Sequence, residues 1–461
     1  MLWNKEIGRL SWDGRKGISY FEFNPAVIGG ELDPFPLIAS TKSPASRRPI
    51  MGDKEMKLYR KLPPFLADSL PDAWGNQVFE CWRIQNGIRN QEITPLEILS
   101  FIGKRGMGAL EFIPESSGIK KSEQLNLKAL TDLAQKIFTE RENVKIMPDE
   151  SLTMQSLIAV GTSAGGRQPK AIIAINPKTG EIRSGQIAGQ KGFEYCILKF
   201  GDPSRSSAEL EMAYYKMATA AGINMMPCEL IEVEGQNHFI THRFDRDEER
   251  KLHMQTLAAL YPEADSYEKL LMVCRKMRLP ESTQEEVFRR MVFNILANNT
   301  DDHNKNFSFL MDENGHWQLS PAYDMTYIFN VGGFLPETMH CLMMQGKLQG
   351  QTLERTLQAC VKHQVSMITI NLTAKAFDIG GRDGRHVLQL LYPRIARQAG
   401  IQAHAVELQI KIAHTKQHFH ASAHSQAVVY LTGVSQPDLG IRIQVDFLTA
   451  DVIRAVTPVV F

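Results

Sequence analysis

Eight polar residues, Asn299-Thr-Asp-Asp-His-Asn-Lys-Asn306, sit between two apolar elements and constrain this chain more than any other stretch. Before them, EEVFRRMVFNILANN keeps a helical period to its end. After them, FSFLMDENGHWQLS reads as a β-hairpin turning at Asn314–Gly315. Asp324 follows just past the hairpin, in SPAYD. Any fold for this chain must bring a helix end, a polar loop, a hairpin and a further carboxylate into succession here.

That succession matches the needs of phosphoryl transfer. A carboxylate has to orient the attacking hydroxyl, oxygen ligands have to hold Mg²⁺ against the phosphates, and a lysine has to neutralise the phosphate tail. Protein kinases space a catalytic Asp and a metal-binding Asn five residues apart, and a second metal-binding Asp follows a short β-segment. Asp301 and Asn306 have that spacing; five residues after Asp302 stands Phe307, which cannot bind a metal. Asp324 takes the place of the second metal carboxylate. On spacing alone, Asp301→Ala is expected to abolish transfer and Asp302→Ala to leave substantial activity. The competing reading is that these residues only cap or turn the chain. The hairpin and Asp324 strengthen the chemical one.

Lys199 adds a cation. In YCILKF, Tyr195, Ile197 and Lys199 share one strand face. A lysine in an apolar strand is costly to bury unless it is paired, and kinases place their phosphate-binding Lys on such a strand. Glu209 and Glu211, on the helix expected over Ser207–Ala220, are the candidate partners. Upstream, Gly161-Thr-Ser-Ala-Gly-Gly-Arg-Gln-Pro-Lys170 is a Gly-rich loop able to bring backbone N–H groups to phosphates. It is neither a Walker A motif nor GxGxxG.

The rest of the chain reads as α+β. Strands are expected at Gly8–Trp12 and Ile18–Phe23 around an Asp13–Gly14 turn. Helices follow near Phe65, after Pro71, over 95–103 and over 125–142. Strands are expected near Ala171–Ile175, Tyr195–Phe200, Glu229–Val233 and His238–His242. Residues 250–300 read as helical, and 425–461 as apolar and strand-like.

Composition bounds the function classes. Lys plus Arg is 52 and Asp plus Glu 51, a net charge of +1, which gives no general attraction to nucleic acid or anionic membrane. The basic run of Arg47, Arg48, Lys54, Lys57, Arg60 and Lys61 reads as a solvated face. The six cysteines are far apart and form no CxxC pair, so buried free thiols in a reducing compartment are expected. No stretch of about 18 apolar residues suggests a membrane span, and the charged N-terminus does not suit a secretory leader. A cytoplasmic location is expected.

Taken together, GTSAGGRQPKA, NNTDDHNKNFSFL, LSPAYD, THRFDR, FLADSLPDAWG and ILSFIGKRGMGALEF resemble, in order over about residues 1–350, the motifs of the HipA family of kinases. These are the toxin halves of bacterial toxin–antitoxin modules. The resemblance implies a bilobal protein-kinase-like α+β fold with a β-rich N-subdomain over 1–115, the rest of the N-lobe over 116–245, a mainly helical C-lobe over 246–424, and an atypical tail over 425–461. It implies Asp301 as catalytic residue and Asn306 and Asp324 as Mg²⁺ ligands. Gly165, Gly166, Arg167, Gln168, Pro169, Lys170 and Lys199 match nucleotide-contacting positions. His242 and Phe244 match hinge residues, His303 a position near the phosphates, and Ser163 a site of autophosphorylation that disrupts the nucleotide site.

The implied activity is ATP- and Mg²⁺-dependent phosphorylation of a protein Ser or Thr hydroxyl. The implied target is an aminoacyl-tRNA synthetase or another translation-linked protein. The implied partner is a HipB-like helix-turn-helix antitoxin, with DNA reached mainly through it. Alternatives are a small-molecule kinase, a catalytically silent member of an antitoxin–DNA repressor complex, and a metal hydrolase using Asp301, Asp302 and His303.

Overall fold

The computed structural model describes residues 1–85, 93–116, 125–140, 153, 156–157, 168–186, 189–247, 250–328 and 339–350, and the strands Ile370–Thr373, Gln426–Thr432 and Arg442–Leu448. The chain divides into two compact units. One comprises Met1–Pro203, Met226–Glu263 and Phe307–Ser320; the other comprises Ser204–Met225, Ala264–Asn306 and Pro321–Phe461.

The first unit begins with the expected hairpin. Gly8–Asp13 pairs antiparallel with Ile18–Phe23, and Asp13 closes the turn by accepting the Arg15 and Lys16 N–H groups at 3.0 and 3.1 Å. Ile50–Met51 adds a short third strand. The inward residues Phe21 and Phe23 join Phe35, Phe65 and Leu110 in one core. Its rings pack edge to face at 5.5 Å for Phe21–Phe65 and stacked at 4.2 Å for Phe35–Phe65, geometries that add to simple burial. Met311, from the hairpin that follows the polar loop, is fully buried in the same core.

A five-stranded antiparallel sheet forms the rest of this unit, in the order Ile182–Ser184, Lys170–Ile175, Glu194–Lys199, Gln236–His242, Cys228–Val233. Ala171, Ile173, Cys196 and Leu198 meet Trp74, Phe79, Phe101 and Leu133, which come from helices at Ala73–Gln85, Pro95–Ile102 and Leu127–Glu140. Period-2 alternation therefore puts Lys199 on the other face. The helix at Pro95 starts where Thr94 and Glu97 form a reciprocal capping box.

Several strands depart from expectation, among them the short antiparallel pair Arg246–Asp247 and Arg250–Lys251. His253–Thr256 lies in a stretch read as helical. It pairs with Ser308–Met311, which pairs in turn with Trp317–Leu319. Four residues carry too little periodicity to reveal a partner so distant in sequence. Ile182–Ser184 is a three-residue edge strand whose pairing is likewise invisible locally. The Asn314–Gly315 turn is present, with Gly315 at φ 83°.

The second unit packs helices Ser207–Ala220, Tyr267–Lys276 and Glu281–Leu296. Leu210, Tyr214, Phe293, Ala322 and Met325 share a core, and the Tyr214 hydroxyl donates to Ala297 O. Strands Gln426–Thr432 and Arg442–Leu448 pair antiparallel, as the apolar tail suggested, with Ile370–Thr373 as the third strand. Among the described residues no helix is long and apolar enough to cross a membrane.

Candidate active site

The loop begins where the long helix is made to stop. Asn298 adopts φ 54°, a left-handed conformation that Asn tolerates better than most residues. Asn298 N then donates to Ile295 O at 3.4 Å and Asn299 N to Asn294 O at 2.9 Å, the two bonds of a Schellman cap. The Asn-Asn pair is thus the local reason that Thr300 and Asp301 leave the helix.

Asp301 and Asp302 diverge from there. The Asp301 side chain is 42% exposed, whereas that of Asp302 is 0% exposed. Asp302 accepts from Tyr267 Oη at 2.6 Å and His340 Nδ1 at 3.0 Å on one oxygen, and from the Cys341 and Leu342 N–H groups at 2.8 and 3.4 Å on the other. Such donors are what make a buried carboxylate tolerable. Burial and the adjacent Asp302 carboxylate hold the Tyr267 phenol well above its usual range, so it remains a donor. The network continues: Asn294 Nδ2 donates to Tyr267 Oη at 3.0 Å, and Asn299 Nδ2 to Asn294 Oδ1 at 3.0 Å. Spacing left Asp302 without a metal-binding partner five residues on; in the structure it is a buried acceptor whose removal would strand several buried donors.

Asn306 folds back on the same loop. A single 3₁₀ turn over Asn304–Asn306 lets its N–H reach His303 O at 2.9 Å, and its Nδ2 donates to Asp301 O at 2.8 Å. The amide nitrogen is committed to that bond, so the ligating atom this side chain has to offer is Oδ1. Asn304 Nδ2 pins the turn to Ala264 O at 3.0 Å. His303 Nε2 lies 3.8 Å from Asp301 Oδ1, and its Nδ1 is buried without a hydrogen-bond partner among the described residues.

Asp324 is held beside this turn by its neighbours. Ala322 N donates to Asn224 O at 2.7 Å, and Met325 is buried in the core. Tyr323 Oη donates to Lys305 O at 2.6 Å, fastening the Asp324 segment to the residue before Asn306. Asp324 itself has φ 56°, a conformation that is uncommon outside Gly, Asn and Asp and often marks functional positions. Asn306 and Asp324 offer oxygen donors, the ligand chemistry that Mg²⁺ takes, and this ion is commonly held by one or two protein groups plus phosphate and water. Among the described residues, no group of three or more His, Cys, Asp or Glu side chains is placed to hold a metal.

The first unit holds the other expected residues. Lys170 and Lys199 stand directly opposite one another on neighbouring strands, 3% and 7% exposed. Like charges facing each other across a ladder are unfavourable unless anions compensate. Asp72 lies 3.8 Å from Lys170 Nζ, and the Phe239 ring lies 5.9 Å from Lys199 Nζ. Gln168 and Pro169 are tied to the end of the Lys199 strand: Gln168 Nε2 donates to Phe200 O at 3.2 Å, and Phe200 N to Pro169 O at 3.0 Å. In the second unit Glu211 is buried and Glu209 partly so. Ser163, Gly165, Gly166 and Arg167 lie outside the described residues.

His242 and Phe244 bracket a buried charge cluster. His242 N donates to Pro227 O, and its Nε2 lies 3.7 Å from Glu194. Between and beyond them Arg243 grips Asp245 with two hydrogen bonds of 2.9 and 2.8 Å, and Arg246 adds a third at 2.8 Å. Sequence reading took THRFDR only as a hinge-side motif and missed this cluster, although its alternating charges were a signal. Tyr323 was also missed, though it adjoins Asp324. His340 carries no local signal.

Taken with the helical second unit, the antiparallel sheet defines an α+β protein of the kinase-like class. Comparison with known proteins narrows it. The HipA N-terminal domain model matches residues 1–113 and the HipA-like C-terminal domain model residues 162–379. Together they take in well over half of the chain, which belongs to the HipA family. The serine/threonine-protein kinase toxin HipA of Shewanella oneidensis is 21% identical over 292 residues, 57% of this chain and 62% of the relative. A candidate kinase of Haemophilus influenzae is 25% identical over 235 residues, 45% of this chain and 67% of the relative. The solved complex of Shewanella oneidensis HipA, HipB and operator DNA aligns with a TM-score of 0.56 at 16% identity, covering 90% of this chain and 94% of that one.

Proposed function

We propose that this chain is an ATP- and Mg²⁺-dependent protein serine/threonine kinase that acts as a HipA-like toxin. The observation that carries the reading is the hydrogen-bonded frame holding Asp301, Asn306 and Asp324: Asn306 Nδ2 to Asp301 O, and Tyr323 Oη to Lys305 O. In it, Asp301 accepts the proton of the attacking hydroxyl. Asn306 and Asp324 would hold Mg²⁺, which supplies charge neutralisation at the phosphates. Lys170 and Lys199 supply cations for the nucleotide's phosphates, with Gly165, Gly166, Arg167, Gln168 and Pro169 lining them. His242 and Phe244 receive the adenine. His303, whose Nδ1 is buried without a partner among the described residues, offers a hydrogen bond near the phosphates.

Family membership supports the wider setting. Because the Shewanella HipA is found with HipB and operator DNA, a helix-turn-helix antitoxin is the proposed partner here, with DNA reached through it. A translation-linked protein such as an aminoacyl-tRNA synthetase is the proposed target. A cytoplasmic location and Ser163 as the autophosphorylation switch complete the proposal. Calorimetry and phosphate-transfer assays with ATP, with and without Mg²⁺, test it. Asp324→Ala should lose the Mg²⁺-dependent step, by about 10²-fold or more in transfer. Equal ATP–Mg²⁺ affinity and activity in that variant would remove Asp324 from the site.

A further inference from the structure

We propose that Asp302 is a positioning residue: clasped by Tyr267, His340 and the Cys341 and Leu342 N–H groups, it sets the orientation of Asp301 and Asn306. The inference rests on the kinase reading for its catalytic consequence, though the clasp itself does not. The peptide unit joining Asp301 to Asp302 is gripped from two sides. Its carbonyl accepts Asn306 Nδ2 at 2.8 Å. Its C-terminal end carries the Asp302 carboxylate, which receives four donors. Rotation of this unit would turn the Asp301 side chain and release the Asn306 amide together. The expected catalytic residue and a proposed metal ligand are therefore coupled through one buried carboxylate that touches neither substrate nor metal.

The donors come from two segments distant in sequence, and a third braces one of them. Tyr267 lies at the start of the helix Tyr267–Lys276, and its hydroxyl is braced by Asn294 from the helix Glu281–Leu296. His340, Cys341 and Leu342 come from beyond Asp324. That segment is itself anchored, since Tyr267 N donates to Met343 O at 3.0 Å and Met343 N to Asp265 O at 2.8 Å. A carboxylate that served only to stabilise the loop would need no such convergence on the very peptide that orients Asp301. Misplacement of reacting groups by about 1 Å can cost on the order of 10²-fold in rate, so loosening one donor should be felt in turnover before it is felt in folding.

The test uses the full-length chain and reads the clasp through its donors. Tyr267→Phe removes one hydrogen bond and keeps the ring. His340→Leu removes another, and His340→Asn restores a donor close to the position of Nδ1. With ATP–Mg²⁺ and a protein substrate, Tyr267→Phe and His340→Leu should each lower kcat about tenfold or more, with KM for ATP within about threefold of the unaltered chain. His340→Asn should recover most of the loss. Turnover within about twofold of the unaltered chain in Tyr267→Phe would overturn the proposal, as would equal losses in both His340 variants. Should His340→Leu fail to fold, Tyr267→Phe decides alone. If the unaltered chain transfers no phosphate, the kinase reading fails, and amide hydrogen exchange decides the clasp. Faster exchange across residues 299–306 in Tyr267→Phe, with Ser207–Ala220 unchanged, upholds it; equal exchange overturns it.

Discussion

Asp245 in the first unit and Asp301 in the second both lie in short polar segments that follow a regular element, yet their surroundings are opposite. Asp245 is fully buried, and so are the guanidiniums of Arg243 and Arg246 that hold it, along with the Gly108 N–H at 2.7 Å. Burial opposes its charge, but the two guanidiniums win and keep the carboxyl well below the usual carboxylate range. Asp301 keeps 42% of its side chain exposed, and the burial that holds its loop is carried by Asp302 instead. The difference separates two uses of a carboxylate. One fixes the backbone around residues 243–246; the other stays half open while its buried neighbour does the fixing.

The contrast predicts where the chain is fragile. Asp245→Ala leaves two buried guanidiniums without their counter-charge, a change that costs about 3–5 kcal/mol. Urea unfolding of the variant measures it; a loss below about 1 kcal/mol would mean that the cluster is not the rigid half of the comparison.

A smaller effect separates acid sensitivity from the Asp245 cluster. His253 is buried, its Nε2 lies 2.9 Å from Pro34 O, and burial lowers its pKa from 6.5 to about 4. Between those values the unfolded chain takes up a proton that the folded chain refuses. The contribution is therefore complete above pH 6.5 and is lost as the pH falls towards 4, at most about 3 kcal/mol. His253→Gln should flatten stability between about pH 5 and 6.5, whereas Asp245 contributes slope only below that, where the unfolded carboxyl takes up protons that the folded one refuses. An unchanged slope in His253→Gln would assign the acid sensitivity elsewhere.

The smallest effect reports on the open half. The Cys341 thiol is pushed up to about 12, by burial first and then by the Asp302 and Asp301 carboxylates, although the residue as a whole is exposed. Alkylation at pH 8 should be slow. Asp301→Asn should speed it modestly by removing one repelling charge. No change would mean that the Asp301 carboxylate does not face the thiol.

Much of this was legible in the sequence because it was local. The five-residue spacing of Asp301 and Asn306, the Asn-Gly hairpin and the Lys199 strand are each written in a few adjacent residues, and the structure places them in the elements expected. The clasp on Asp302 was not legible. Its donors, Tyr267 and His340, lie 35 and 38 residues away on either side, and a carboxylate read by spacing alone has no way to announce that it is buried. The His253–Thr256 strand was hidden for the same reason, since its evidence is a partner and not a pattern. Composition said nothing of the Arg243–Asp245–Arg246 cluster, because a net charge of +1 does not distinguish scattered charges from a buried triad.

The most direct measurement compares the unaltered chain with Asp301→Asn in two assays: ATP–Mg²⁺ binding by calorimetry, and transfer of labelled γ-phosphate to protein. Because the Asp301 side chain is half-open, the variant should fold with an unchanged unfolding midpoint, bind nucleotide normally and lose about 10²–10⁴-fold in transfer. An Asp301→Asn protein that transfers phosphate within a few-fold of the unaltered chain would contradict the account.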